Sequence, residues 1–238
     1  MKKRVSNIGC LLIHGFGGDF EEVRYLAEYL KRQGYNVVCP SLKGHTGIRR
    51  DLAGVTYSQW INSAEEDLIK LKERSEKVFI VGFSMGGLIG INLCERYDID
   101  GLVTLNTPIY YWDIKNIVSN VITDFRTKDF QNIKRYINSS GKFPIPALYN
   151  FRRLLSITKN KISKVSCPML IVQARDDDTV RVTSAKYIFD KIGTEKKIKY
   201  YDNSGHVILT SQSAKQVSED VERFIRHLIW ERIKLEFS

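Results

Sequence analysis

Ser84 stands in Gly82-Phe83-Ser84-Met85-Gly86, a Gly-x-Ser-x-Gly run that follows an apolar stretch and leads into helical spacing. A serine hydroxyl becomes a useful nucleophile when a sharp turn exposes it and a base removes its proton, and flanking glycines take away the side chains that would collide there. The placement assigns Ser84 as a nucleophile, with a merely structural turn serine as the bland alternative. A phosphate loop or a dinucleotide fingerprint would also join strand to helix. Neither fits, because Gly15-Phe16-Gly17-Gly18 lacks a Gly-Lys-Ser/Thr ending and nothing near Ser84 reads Gly-x-Gly-x-x-Gly.

A base for Ser84 must come from four histidines. His227 lies late in a helical run and reads as a surface residue. His45 occupies a loop where a turn or packing role suffices, and His14 sits where local hydrogen bonding would shape a glycine-rich loop. His206 instead closes the polar stretch Tyr201-Asp202-Asn203-Ser204-Gly205-His206 after the last apolar strand, so it is assigned general base and then general acid. The acid that orients it should follow another strand, and Gln173-Ala174-Arg175 leads into Asp176-Asp177-Asp178. Position alone does not separate the three. Charge developing on a tetrahedral intermediate needs two aimed donors, for which the peptide N–H of Met85 and that of Phe16 are the candidates. The three acids alone offer a metal site as an alternative, but no further acidic or histidine cluster has ligand spacing, and no cofactor is expected.

These residues need a scaffold that brings distant loops together. Apolar strands are expected at Ile8–Ile13, Tyr35–Pro40, Val78–Val81, Gly101–Leu105, Pro168–Gln173 and Lys197–Tyr201. Helical spacing separates them: about 22–33, around Trp60 to Leu71, from Leu88 to Arg96, between the last two strands, and from about Ala214 to Trp230. Nearly continuous apolar strands alternating with helices predict a mostly parallel six-stranded α/β sheet covered on both faces, with the Ser84 hydroxyl projecting into solvent at its edge. Tyr110 to Lys164 shows no strand pattern and is too long for an ordinary connection. It is expected to form a helical cap, which makes 1–109 and 165–238 the core and 110–164 the cap.

Composition sets the outer limits. The chain has 238 residues, and its 37 Lys+Arg against 27 Asp+Glu give 37 − 27 = +10. Acids are interspersed among the bases and no recognition motif or aromatic-interleaved basic stripe appears, which argues against a nucleic-acid partner. No window approaches the 18 or so apolar residues of a membrane span, so no stable membrane insertion is expected. Cys10, Cys39, Cys94 and Cys167 form no Cys-x-x-Cys pair, as buried thiols of a reducing, cytoplasmic compartment would.

Leu12-Ile13-His14-Gly15-Phe16-Gly17-Gly18, Lys43-Gly44-His45, Gly82 to Gly87, Val172-Gln173-Ala174-Arg175 with the acids after it, and Ser204-Gly205-His206-Val207-Ile208 together resemble the small bacterial carboxylesterases and monoacylglycerol lipases of the α/β-hydrolase superfamily. The resemblance covers nearly the whole chain. It implies an α/β-hydrolase fold, a Ser84, Asp177, His206 triad in the chain order of that superfamily, and oxyanion donors at Phe16 and Met85. Because acids flank Asp177 on both sides, the family pattern leaves its assignment open by one residue. The implied activity is hydrolysis of short- to medium-chain carboxylic esters or monoacylglycerols through an acyl-enzyme, without a cofactor, by a monomer or homodimer. Phe16, Met85, Tyr110, Tyr111 and Trp112 are the expected apolar acyl pocket. A thioesterase or acyltransferase with the same triad, and a binding protein that kept the fold without catalysis, are the alternatives.

Overall fold

Strands that are apolar on both faces are stable only when helices cover both sides of the sheet. The computed structural model describes residues 7–110 and 143–236 and has that architecture. Six strands, β1 (Ile8–Ile13), β2 (Asn36–Val38), β3 (Lys77–Phe83), β4 (Gly101–Leu105), β5 (Met169–Ala174) and β6 (Lys196–Tyr201), lie in the order β2-β1-β3-β4-β5-β6. All neighbours are parallel. The described helices are α1 (Arg24–Arg32), α2 (Tyr57–Glu73), α3 (Met85–Arg96), α4 (Ile145–Lys159), α5 (Thr183–Lys191) and α6 (Ala214–Glu236).

Side chains alternate across each strand and so feed two cores. Leu11, Ile13, Ile80, Leu102 and Ile171 pack with α2, α3, α4 and α5 on one face. Cys10, Leu12, Phe79, Val81, Val103 and Val172 pack with α1 and α6 on the other. Among the described residues no helix is long and apolar enough to cross a membrane.

Register decides where the loops emerge. Ile13 pairs with Gly82, Gly82 with Thr104, Leu105 with Val172, and Ala174 with Tyr201. The carboxyl ends of β1, β3, β4, β5 and β6 therefore finish along one rim, and the segments holding His14, Ser84, Asn106, Asp177 and His206 leave the sheet side by side.

The structure moves several expected boundaries. β2, at the sheet edge, is only three residues long. β3 continues to Phe83, and α3 starts at Met85 rather than Leu88. Gly86 and Gly87 are tolerated in its first turn because the helix is pressed there against neighbouring segments: a Cβ on Gly86 would stand 2.1 Å from the Ile13 carbonyl oxygen. The long segment after β4 carries α4. It docks on α3 through Asn92, whose side-chain amide donates to Thr158 Oγ1 at 2.7 Å. Residues 111–142, including Tyr111, Trp112 and most of the expected cap, lie outside the described residues.

Candidate active site

The turn from β3 into α3 holds Ser84 at φ 51° and ψ −117°. A non-glycine residue in that conformation costs about 1–3 kcal/mol, so the surroundings must enforce it. Here the Ser84 N–H donates to Leu105 O at 2.8 Å, the Gly87 N–H donates to Ser84 O at 3.0 Å, and a Cβ on Gly82 would stand 2.3 Å from the Gly86 backbone. The sharp turn aims Oγ away from both strand and helix. Contrary to the expectation of a solvent-projecting hydroxyl, Ser84 is only 7 % exposed. The loop after β1 covers it, with a Cβ built on Gly15 falling 3.3 Å from Ser84 Cβ.

His206 arrives from the loop after β6 and places Nε2 3.1 Å from Ser84 Oγ. Its Nδ1 lies 2.9 Å from Asp177 Oδ2 and 3.1 Å from Oδ1. An ionised carboxylate only accepts, so Nδ1 carries the proton of the neutral ring and Nε2 is left with a lone pair facing the hydroxyl. A proton can pass from Oγ to Nε2 without rearrangement. The Phe83 ring, 5.2 Å from the imidazole centroid to centroid, closes one side.

The three consecutive aspartates take different positions. Asp177 is the buried one, and its Oδ1 also accepts the Thr179 and Val180 N–H groups, both at 2.8 Å. Asp176 turns to the histidine loop instead, where it accepts from Ser204 N at 3.0 Å and Gly205 N at 3.3 Å. The Ser204 hydrogen bond is the leading cause that holds its carboxyl below the usual range. Asp178 accepts from the Thr179 hydroxyl at 3.0 Å. Only Asp177 meets His206.

Met85 is the first residue of α3, and the opening N–H groups of a helix have no partner inside it. Its N–H emerges directly beside Ser84, at the positive end of the helix dipole. The glycine-rich loop brings the Phe16 peptide across from β1. The Phe16 ring is part of an aromatic cluster with Trp60, Phe143 and Phe151 at 5.6, 4.8 and 5.2 Å between centroids. Of the expected pocket residues, Tyr110 is exposed, with its ring 5.5 Å from that of Tyr187 and its backbone paired to Ser184.

His14 and His45 flank the site from outside. His14 Nδ1 lies 2.9 Å from Gly15 O, and the His14 and His45 rings meet at 5.0 Å beside Phe16 and Trp60. Burial lowers both below the ordinary histidine value, His45 to about 4. His227 is exposed on α6, as its sequence position implied.

Two residues at the site escaped the sequence reading. Asn106, at φ 47° just past β4, donates from Nδ2 to His206 O at 2.7 Å and Gly205 O at 3.1 Å, while its Oδ1 accepts from Ala174 N at 2.7 Å. One side chain thus joins the ends of three strands. A lone Asn after a strand was the available signal. Glu22 bends back to accept the Gly15 N–H at 2.8 Å. Burial pushes its carboxyl up, against the opposing pulls of the Gly15 hydrogen bond and His206, while Asp19 adds to the rise. Nothing in a sequence spacing of seven announces that contact.

Among known proteins, the family described as serine aminopeptidase, S33 matches residues 7–213. A thermostable monoacylglycerol lipase of Bacillus sp. strain H-257 is 33 % identical over 237 residues, covering 92 % of this chain and 91 % of that protein. A carboxylesterase of Bacillus subtilis strain 168 is 28 % identical, covering 92 % and 93 % respectively. A solved structure from work on LipS and LipT, two metagenome-derived lipolytic enzymes, superposes with a TM-score of 0.79 at 24 % identity, over 93 % of this chain and 94 % of its own.

Proposed function

The chain belongs to the serine aminopeptidase S33 family, and from that membership we propose that it is a serine hydrolase acting on carboxylic esters, with Ser84 as nucleophile, His206 as base and acid, and Asp177 as the orienting carboxylate. Its fold is the α/β-hydrolase fold. The observation that carries the reading is the continuous path from Asp177 through His206 to Ser84 Oγ, with hydrogen-bond distances of 2.9 and 3.1 Å. The Bacillus relatives named monoacylglycerol lipase and carboxylesterase favour esters over peptides as the substrate class.

Ser84 Oγ attacks the ester carbonyl carbon while its proton passes to His206 Nε2. The carbonyl oxygen takes up the negative charge and is met by the N–H groups of Phe16 and Met85; losing one such donor costs about 3 kcal/mol of transition-state stabilisation. Asp177 stabilises the imidazolium and holds its tautomer. Collapse of the intermediate breaks the bond to the alkoxy oxygen, which leaves as alcohol with the proton from His206. Water then loses a proton to His206 and attacks the acyl-Ser84 carbonyl; the bond to Oγ breaks, Oγ takes the proton back from His206, and the acid leaves.

The aromatic cluster of Phe16, Phe143 and Phe151 offers an apolar wall for the acyl chain, which supports short- to medium-chain esters and monoacylglycerols. In this reading segment 110–164 serves as the cap, and Tyr110, Tyr111 and Trp112 are its candidate acyl-pocket residues. The free cysteines favour a reducing cytoplasm, and the assembly is a monomer or homodimer.

Rates on nitrophenyl esters of increasing acyl length, monoacylglycerols, acyl-thioesters and aminoacyl anilides test the substrate class. Oxygen esters of short to medium length give the highest kcat/KM on this account. Thioester or anilide rates far above ester rates overturn it.

A further inference from the structure

Glu22 ends a single 3-10 turn, Phe20–Glu22, that Asp19 caps by accepting the Glu21 N–H at 2.8 Å. The turn directs the Glu22 side chain back over the loop that follows β1. Three observations define where its carboxylate sits. Oε2 accepts the Gly15 N–H at 2.8 Å. A Cβ on Gly15 would stand 3.1 Å from that oxygen and 3.3 Å from Ser84 Cβ, so the carboxylate and the nucleophile both lie against Gly15. A Cβ on Gly18 would stand 2.1 to 2.4 Å from the carboxylate atoms, so the group lies directly against the far end of the same loop.

The Phe16 N–H is one peptide beyond the Gly15 N–H. Glycine-rich backbone has many accessible conformations, and a donor contributes to catalysis only when aimed before charge develops. The carboxylate fills the concave side of the loop and pins the peptide next to the oxyanion donor.

Building on the assignment of Ser84 and its donors, we propose that Glu22 is a positioning residue that fixes the aim of the Phe16 N–H through its hydrogen bond to Gly15. Its carboxylate acts on the loop backbone, where it accepts the Gly15 N–H. An oxyanion forms only as the ester is attacked, so a misaimed donor lowers kcat and leaves KM nearly unchanged.

Four full-length variants decide the matter in ester hydrolysis, with circular dichroism confirming the fold. Glu22→Ala removes the acceptor and lowers kcat at least about tenfold, with KM within about twofold of wild type. Glu22→Gln keeps an acceptor oxygen at the same reach and holds kcat within about threefold. Glu22→Asp keeps the charge but withdraws the acceptor by one methylene, and its kcat falls at least about fivefold. Wild-type kcat in Glu22→Ala, or a change confined to KM, overturns the inference. If Glu22→Ala does not fold, the other pair decides: Glu22→Asp below Glu22→Gln supports the proposal, and Glu22→Asp equal or above overturns it. Ser84→Ala separates the two levels of argument, since hydrolysis undiminished in that variant refutes the nucleophile assignment itself.

Discussion

At the scale of single residues, the aspartate run carries the sharpest prediction. Asp177→Asn leaves the shape of the site intact but offers His206 Nδ1 an amide in place of a carboxylate, so kcat is expected to fall by roughly ten-thousandfold. Asp176→Asn acts only through the Ser204 and Gly205 peptides and is expected to cost about tenfold or less, with Asp178→Asn near wild type. Steady-state kinetics on one ester ranks the three; a larger loss at Asp176 or Asp178 than at Asp177 contradicts the assignment. Ser84 and His206 were legible as candidates because Ser84 lies between glycines where a strand runs into a helix and His206 closes a polar stretch after a strand. The run of acids was not, because its direction is set by the Thr179 and Val180 N–H groups that capture one carboxylate, and backbone direction within a turn leaves no trace in composition. Asn106 and Glu22 were invisible for a related reason: their importance lies in partners 68 to 100 and 7 positions away.

At the scale of elements, the strand-to-helix turn is a close-packed joint. Gly86→Ala drives a Cβ to 2.1 Å from Ile13 O and 2.9 Å from His14 O, both rigid backbone, and is expected to destabilise by about 1–3 kcal/mol or more. Gly54→Ala, with nothing within 4 Å of its Cβ, should stay within about 0.5 kcal/mol. Urea unfolding of the pair checks the contrast. The loop between β2 and α2 supplies a pH effect through His45, whose burial lowers its value from 6.5 to about 4. The folded chain resists protonating this ring while the unfolded chain does not. Stability is therefore full above pH 6.5 and declines toward pH 4, by roughly 3 kcal/mol from this group. His45→Gln should flatten that slope in unfolding curves taken across the interval; an unchanged slope excludes His45 as the cause. Element types followed from apolar periodicity, whereas the early start of α3 did not, since paired glycines argue against a helix until the close approach that demands them is seen.

At the scale of the whole molecule, parallel pairing in register is what turns five separate loops into one site. The alternation of strands and helices made that rim predictable, because parallel strands place their carboxyl ends together whatever the details of each crossover. The segment after β4 stands out in the sequence by its length, whereas the buried Asn92–Thr158 hydrogen bond that joins α4 to α3 is something no periodicity reveals. The net charge of +10 acts at this scale too: kcat/KM for an ester with an anionic leaving group should fall as salt rises, while a neutral ester of equal reactivity should not respond, and parallel responses would remove steering from the account. The convergence itself is tested most directly by treating the folded protein with a fluorophosphonate and reading the intact mass and the modified peptide. One phosphonyl group per chain, carried on Ser84 and lost in both Ser84→Ala and His206→Ala, is the predicted result. An unmodified protein, or an adduct that persists without Ser84, would contradict it.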